Sequence, residues 1–109
     1  MAEVLGTLEE AVLLSIVRLG DDAYGRAIRN AVQGVLGRDI AAGAVHATLE
    51  RLERKQLISS NLGSGTPVRA GRARRYYTLL SKGVRALNDV RSIHDNIWSG
   101  LPYPLGSRP

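Results

Sequence analysis

The chain has 109 residues, enough for one domain with a modest core and too few for two. Its 44% hydrophobic and 23% charged residues exclude a disordered polymer, and the lack of cysteine excludes disulfide staples and thiolate metal sites. A net charge of +5 invites an anionic partner.

The opening MAEVLGTLEE carries no basic stretch, and no apolar run approaches the roughly 20 residues of a membrane span, so a soluble protein of the cytoplasm is expected. A first helix is predicted to start at Thr7, with Thr7 and Glu10 as the two ends of a capping box, and to stop at Gly20. Leu8, Ala11, Val12, Leu13, Leu14, Ile16, Val17 and Leu19 surround most of its circumference. A helix apolar on nearly every side must be covered on nearly every side. So small a chain can cover one flank only, and a second subunit is expected on the other.

A second helix is predicted from about Ala23 to Leu36, ending at Gly37. Tyr24, Ala27, Ile28, Ala31, Val32, Val35 and Leu36 hold the three-four spacing, and Arg26, Arg29, Asn30 and Gln33 face outward. The third spans roughly Ala42 to Lys55, with Val45, Leu49 and Leu52 turned inward. Its outer face offers Ala44, His46, Ala47, Glu50, Arg51 and Arg54. Small residues near its start, Ala42, Gly43 and Ala44, would let the backbone come close to a duplex.

From Arg54 to Asn88 every charged side chain is positive, and 13 of the 15 basic residues in the chain are arginine. Arginine grips phosphate in bidentate fashion and reads guanine edges. This stretch predicts a strand around SSNL, a polar Gly63 to Pro67 tip, and a returning strand from Arg74 to Leu80. A groove-sized helix followed by a basic hairpin is the layout of a winged helix-turn-helix. Gly71, Arg72, Arg74 and Arg75 are candidates for phosphate or minor-groove contacts. Tyr76 and Tyr77 must point to opposite sides of the strand, one to the core and the other, with Tyr76 as candidate, toward DNA backbone or solvent.

Ser81 is expected to cap a last helix from about Lys82 to Trp98, some 25 Å long by the rise per residue. Val84, Leu87, Val90, Ile93, Ile97, Trp98 and Leu101 line one side of it, and with Leu8 and Val12 they are the candidate dimer contacts. Trp98 is either an interface anchor or a platform on which a flat ligand stacks. The segment 102–109, rich in proline and glycine, is expected to be a flexible tail.

Four pieces, in this order, carry a family resemblance: LGTLEEAVLLSIVRLGDDAYG, GAVHATLERLERKQLI, GRARRYYTLLSKG and the final amphipathic helix. The chain resembles the PadR family of bacterial and archaeal transcriptional regulators from about Leu5 to Leu101. The resemblance implies a mainly α fold with a small β-hairpin: a winged helix-turn-helix over 1–80 and a C-terminal dimerisation helix over 81–101. It also implies a homodimeric repressor at a palindromic operator, associated with the nucleoid, whose terminal helix packs on the partner's first helix. Two positions depart from the family pattern. Ala41-Ala42 stand where a Ser or Thr cap is usual, leaving Asp39 as a substitute or the helix less firmly started. His46 stands where tyrosine is common, so it either inherits a contact with the DNA backbone or packs half-buried. Arg51 is either a DNA contact or a partner for nearby acids on its own helix.

His46 and His94 fall on different helices, and no H-E-x-x-H, G-x-S-x-G or phosphate-loop pattern occurs, so neither enzyme, metal nor cofactor is expected. The expected partners are double-stranded DNA, a second copy of the chain, and a small-molecule effector at the dimer interface, with no membrane. Two competing functions share the fold: a protein-interaction module, and a ligand-responsive sensor of multidrug or aromatic compounds.

Overall fold

The computed structural model describes residues 4–63 and 74–106. Helix α1 spans Thr7–Leu19, α2 Gly25–Leu36, α3 Ala42–Arg54 and α4 Ser81–Trp98, with a 3₁₀ turn at Gly20–Asp22. Between α3 and α4, strands β1 (Ile58–Leu62) and β2 (Arg75–Leu79) pair antiparallel, with Ile58 opposite Leu79 and Leu62 opposite Arg75.

Local chemistry explains most of these boundaries. Helix α1 stops because Gly20 takes φ 58, ψ −121, a conformation that excludes residues with a Cβ. Helix α2 ends on Gly37 at φ 67, again left-handed. Helix α3 ends without glycine. Gln56 takes φ 65, its N–H bonds the Glu53 carbonyl at 3.0 Å, and the Leu57 N–H reaches the Leu52 carbonyl at 3.0 Å. That is the Schellman pattern, sealed by two leucines that are both fully buried.

The helix starts differ from the sequence expectations. Thr7 is the first helical residue of α1 and not its cap; Gly6 is the cap, and the Glu9 carboxylate accepts from the Gly6 N–H at 3.0 Å. Glycine has no side chain to reciprocate, so only half of a capping box exists, shifted by one residue. Ser81 is likewise the first helical residue of α4, after Leu80. Helix α2 starts at Gly25, because the chain ahead of it is drawn onto the hairpin: the Tyr77 N–H bonds the Ala23 carbonyl at 2.8 Å. Helix α3 opens at Ala41 with no side-chain cap, so Asp39 does not substitute for the missing hydroxyl.

The core is one cluster drawn from every element. Val12, Leu13, Ile28, Val32, Leu52 and Leu57 are fully enclosed, and Tyr77, Ala86 and Val90 close it from the hairpin and α4. Helix α4 approaches the start of β1 over Gly83, where a Cβ would stand 2.3 Å from the Leu57 carbonyl oxygen. No other residue type fits that crossing. The turn between α2 and α3 is clasped by side chains whose spacing had placed them outward. Arg29 donates from Nε to the Ile40 carbonyl at 2.7 Å, and the Ile40 N–H donates to Gln33 at 3.0 Å.

Candidate nucleic-acid interface

Helix α3 divides cleanly into two faces. Val45, Thr48, Leu49 and Leu52 are buried, and the Thr48 hydroxyl satisfies itself on the Ala44 carbonyl at 2.8 Å. Ala42, Gly43, Ala44, His46 and Ala47 are all exposed, which leaves the first two turns of the helix lined by small side chains. His46 lies 3.6 Å from Glu50 one turn later, with both groups in solvent, so the half-buried alternative for His46 does not hold.

Arg51 makes a contact within the fold that neither expectation named. Its Nε donates to Glu9 Oε2 at 3.2 Å, across from α3 to α1, and its Nη2 lies 3.4 Å from the Thr48 hydroxyl. Lys55 reaches the same Glu9 oxygen at 3.2 Å. Burial on its own would raise the Glu9 carboxyl pKa. The Gly6 N–H, the Arg51 and Lys55 hydrogen bonds and the Lys55 charge outweigh it and hold the group below its usual range. The acid that Arg51 bonds is thus 42 positions away in sequence, and no local spacing rule could have named it.

The hairpin is tied to both helices beside it. Arg74 lies over the Tyr24 ring at 4.1 Å, and Tyr24 meets Tyr76 edge-on at 5.8 Å. Tyr76 is therefore half-buried against α2's leading residue. On the opposite side of the strand Tyr77 is buried, as the alternation requires. Burial pushes its phenol above the ordinary value, with Arg75 opposing and Glu53 and Glu50 adding to the shift. Arg75 donates to the Ser60 hydroxyl at 3.0 Å, and that hydroxyl donates to Glu53 at 2.7 Å, linking β2 through β1 to α3. Arg74 and Arg75 remain exposed, at the side of the hairpin next to α2 and α3. Gly71 and Arg72 lie outside the described residues.

A second surface is apolar. On α1, Leu14 and Val17 are exposed, the latter by 53%, and on α4 so are Val84, Ile97 (65%) and Trp98 (41%), followed by Leu101. Val12 and Val90, expected to meet a partner, instead lie inside their own subunit's core and cannot touch one. Leu8, Leu87 and Ile93 are half-buried along the same helices. Trp98 meets Tyr103 edge-on at 5.7 Å, so the segment after α4 turns back toward the helix as far as that ring. Glu10 and His94, 3.1 Å apart, join α1 to α4 within the subunit. Among the described residues no cluster of three or more His, Cys, Asp or Glu could hold a metal, and no helix is long and apolar enough to cross a membrane.

This order of elements, with a capless α3 presenting small residues beside an arginine-bearing hairpin, coincides with a match to the family described as "Transcriptional regulator PadR-like family" over residues 13–89. The chain belongs to the PadR-like family. Among solved structures, a PadR family regulator from Eggerthella lenta is 27% identical, with TM-score 0.64, covering 82% of this chain and 75% of its own. A PadR-like transcription factor from Bacteroides fragilis is 25% identical, with TM-score 0.68 and 84% of each chain covered. RosR of H. salinarum shares the fold at 19% identity, with TM-score 0.70, 94% of this chain and 84% of its own. No curated protein resembles the chain closely enough in sequence to count as a relative. The PadR-like family consists of transcriptional regulators, not enzymes, and the winged helical fold expected from the sequence is the one observed.

Proposed function

We propose that this PadR-like regulator is a homodimeric repressor that binds a palindromic operator, inserting α3 of each subunit into the major groove. Residues 1–80 serve as the DNA-binding unit, α4 to Leu101 as the dimerisation helix, and the rest as a tail. The observation that carries this reading is the outer face of α3, where Ala42, Gly43, Ala44, His46 and Ala47 are all exposed on the first two turns. Arg74 and Arg75 of the wing, with Gly71 and Arg72, hold flanking phosphates, and Tyr76 supports Arg74 through Tyr24. Arg51 acts at one remove, by fixing α3 to α1. The exposed apolar residues of α1 and α4 pair two copies, and half-sites then lie about 34 Å apart or a multiple of it. Binding of this kind places the protein in the cytoplasm at the nucleoid.

The test is binding to duplexes selected from random or genomic DNA and searched for a two-fold motif. Affinity for the selected duplex should fall by about 10³ or more between 50 and 200 mM salt, by counterion release. Replacing both Arg74 and Arg75 with alanine should weaken binding to every duplex and flatten that dependence. Binding that ignores salt would point instead to a protein-interaction module on the same fold.

A further inference from the structure

Arg74 and Arg75 are neighbours in sequence, yet strand alternation sends them to opposite faces of the hairpin, where different groups hold them. Arg74 rests over the Tyr24 ring at 4.1 Å. Arg75 shares its face with Tyr77 and, through the strand register, with Ser60 and Leu62 of β1. There its Nη1 donates to the Ser60 hydroxyl at 3.0 Å, and the same hydroxyl donates to Glu53 Oε2 on α3 at 2.7 Å. A hydroxyl that donates to a carboxylate becomes a better acceptor, so each bond strengthens the other. Among the described residues Arg75 forms no ion pair, because the hydroxyl stands between its guanidinium and the carboxylate. The bond occupies one N–H of the guanidinium, and the side chain stays exposed. Glu53 is exposed too, and Ser60 is the one group that its carboxylate bonds among the described residues. By charge alone, an acid on α3 beside a phosphate-gripping arginine opposes DNA binding. Its link to Arg75 gives it a use there.

We propose that Glu53 and Ser60 are positioning residues for DNA binding: they tie Arg75 to α3, so that the wing arginine and the groove-entering helix meet one duplex in a single register. This role rests on the DNA-binding reading. Neither residue touches the duplex. Arginine loses rotamer freedom when it grips a phosphate, and the link has removed part of that freedom before DNA arrives. Helix α3 is a firm anchor for it, since Val45, Thr48, Leu49 and Leu52 fasten its other face in the core.

The test measures affinity of the full chain and its variants for the selected duplex. Ser60→Ala leaves every charge in place, so it should weaken binding by at least about threefold with an unchanged salt slope. Glu53→Ala should weaken binding as well, although loss of an acid near phosphates would strengthen it by charge alone. In an Arg75→Ala background neither change should weaken binding, whereas in an Arg74→Ala background both should. Tighter binding by Glu53→Ala, wild-type affinity of Ser60→Ala, or losses that survive in the Arg75→Ala background would each overturn the proposal. A second readout needs no DNA. Nitrogen relaxation of the Arg75 Nε–H, assigned by its loss in Arg75→Ala, should show a restrained side chain that loosens in Ser60→Ala and in Glu53→Ala. Equal motion in all three proteins overturns the positioning role. If no duplex binds at all, the repressor reading fails, and the relaxation measurement still decides whether Ser60 and Glu53 hold Arg75.

Discussion

Glu9 shows how one side chain can hold a recognition element in place. It is 8% exposed and accepts from the Gly6 N–H at 3.0 Å and from Arg51 and Lys55 at 3.2 Å each. Its carboxyl pKa is lower in the folded chain than the ordinary 4.5, so the ionised form stabilises the fold at neutral pH. That contribution is complete above the unfolded-state value and disappears as pH falls below 4.5. Glu9→Gln should lower stability in urea denaturation by about 2 kcal/mol at pH 7, the scale of a hydrogen bond to a charged group. The gap between variant and wild type should hold down to the unfolded-state value of 4.5 and narrow below it; a gap that stays constant through that range would remove the ion-pair explanation. Arg51 illustrates the matching difficulty in sequence reading. On the helical wheel it belongs to the outer face, and only the docking of α1 against α3 shows that its guanidinium is already engaged.

The helices differ in how far their ends could be foreseen. Gly20 and Gly37 stop α1 and α2 because the backbone there needs positive φ, a requirement written in a single residue. The starts of α1 and α4 sit one residue from the Ser/Thr-based expectation, because a hydroxyl near a helix start is a preference that neighbouring groups override. Gly83 was not singled out in the sequence, since an isolated glycine in a helical pattern only weakens the helix. In the fold it is the point where α4 crosses β1. Gly83→Ala sets a methyl against a backbone carbonyl that is already bonded to the Leu80 N–H at 3.0 Å, so the carbonyl cannot move away freely. The expected loss is about 3 kcal/mol, the upper part of the overpacking range, read from the urea midpoint. A variant as stable as wild type would mean that α4 shifts on its support without penalty.

The proposed pairing of two copies rests on the exposed apolar residues Leu14 and Val17 on α1 and Val84, Ile97 and Trp98 on α4. Apolar side chains left facing water favour association, and two copies would give the paired geometry of the proposed two-fold operator. Val17→Lys and Trp98→Ala should each move sedimentation velocity profiles at micromolar concentration toward the monomer, with helix content unchanged. Val12→Ala should instead lower stability, because that side chain lies in the subunit core. A Trp98→Ala variant that remains fully dimeric would count against the anchor role. The proposed half-site spacing of about 34 Å depends on this pairing, since a lone winged domain reads a single half-site.

Periodicity and residue type were enough to reveal four helices, a basic hairpin and their order, because helix and strand signals repeat within a few residues and glycine enforces its own stops. Family motifs added the regulator class. The sequence also marked α1 as too apolar for one subunit to cover, but it could not say which apolar residues the subunit would enclose. Val12 and Val90 went inward while Leu14 and Val17 stayed outside, a division made by which side of α1 the other elements pack against. The bond from Arg51 to Glu9, the clasp of Arg29 on Ile40, the stacking of Arg74 on Tyr24 and the link from Arg75 through Ser60 to Glu53 all join residues distant in the chain. Their partners are chosen by packing, and packing depends on the whole set of contacts at once rather than on any short pattern.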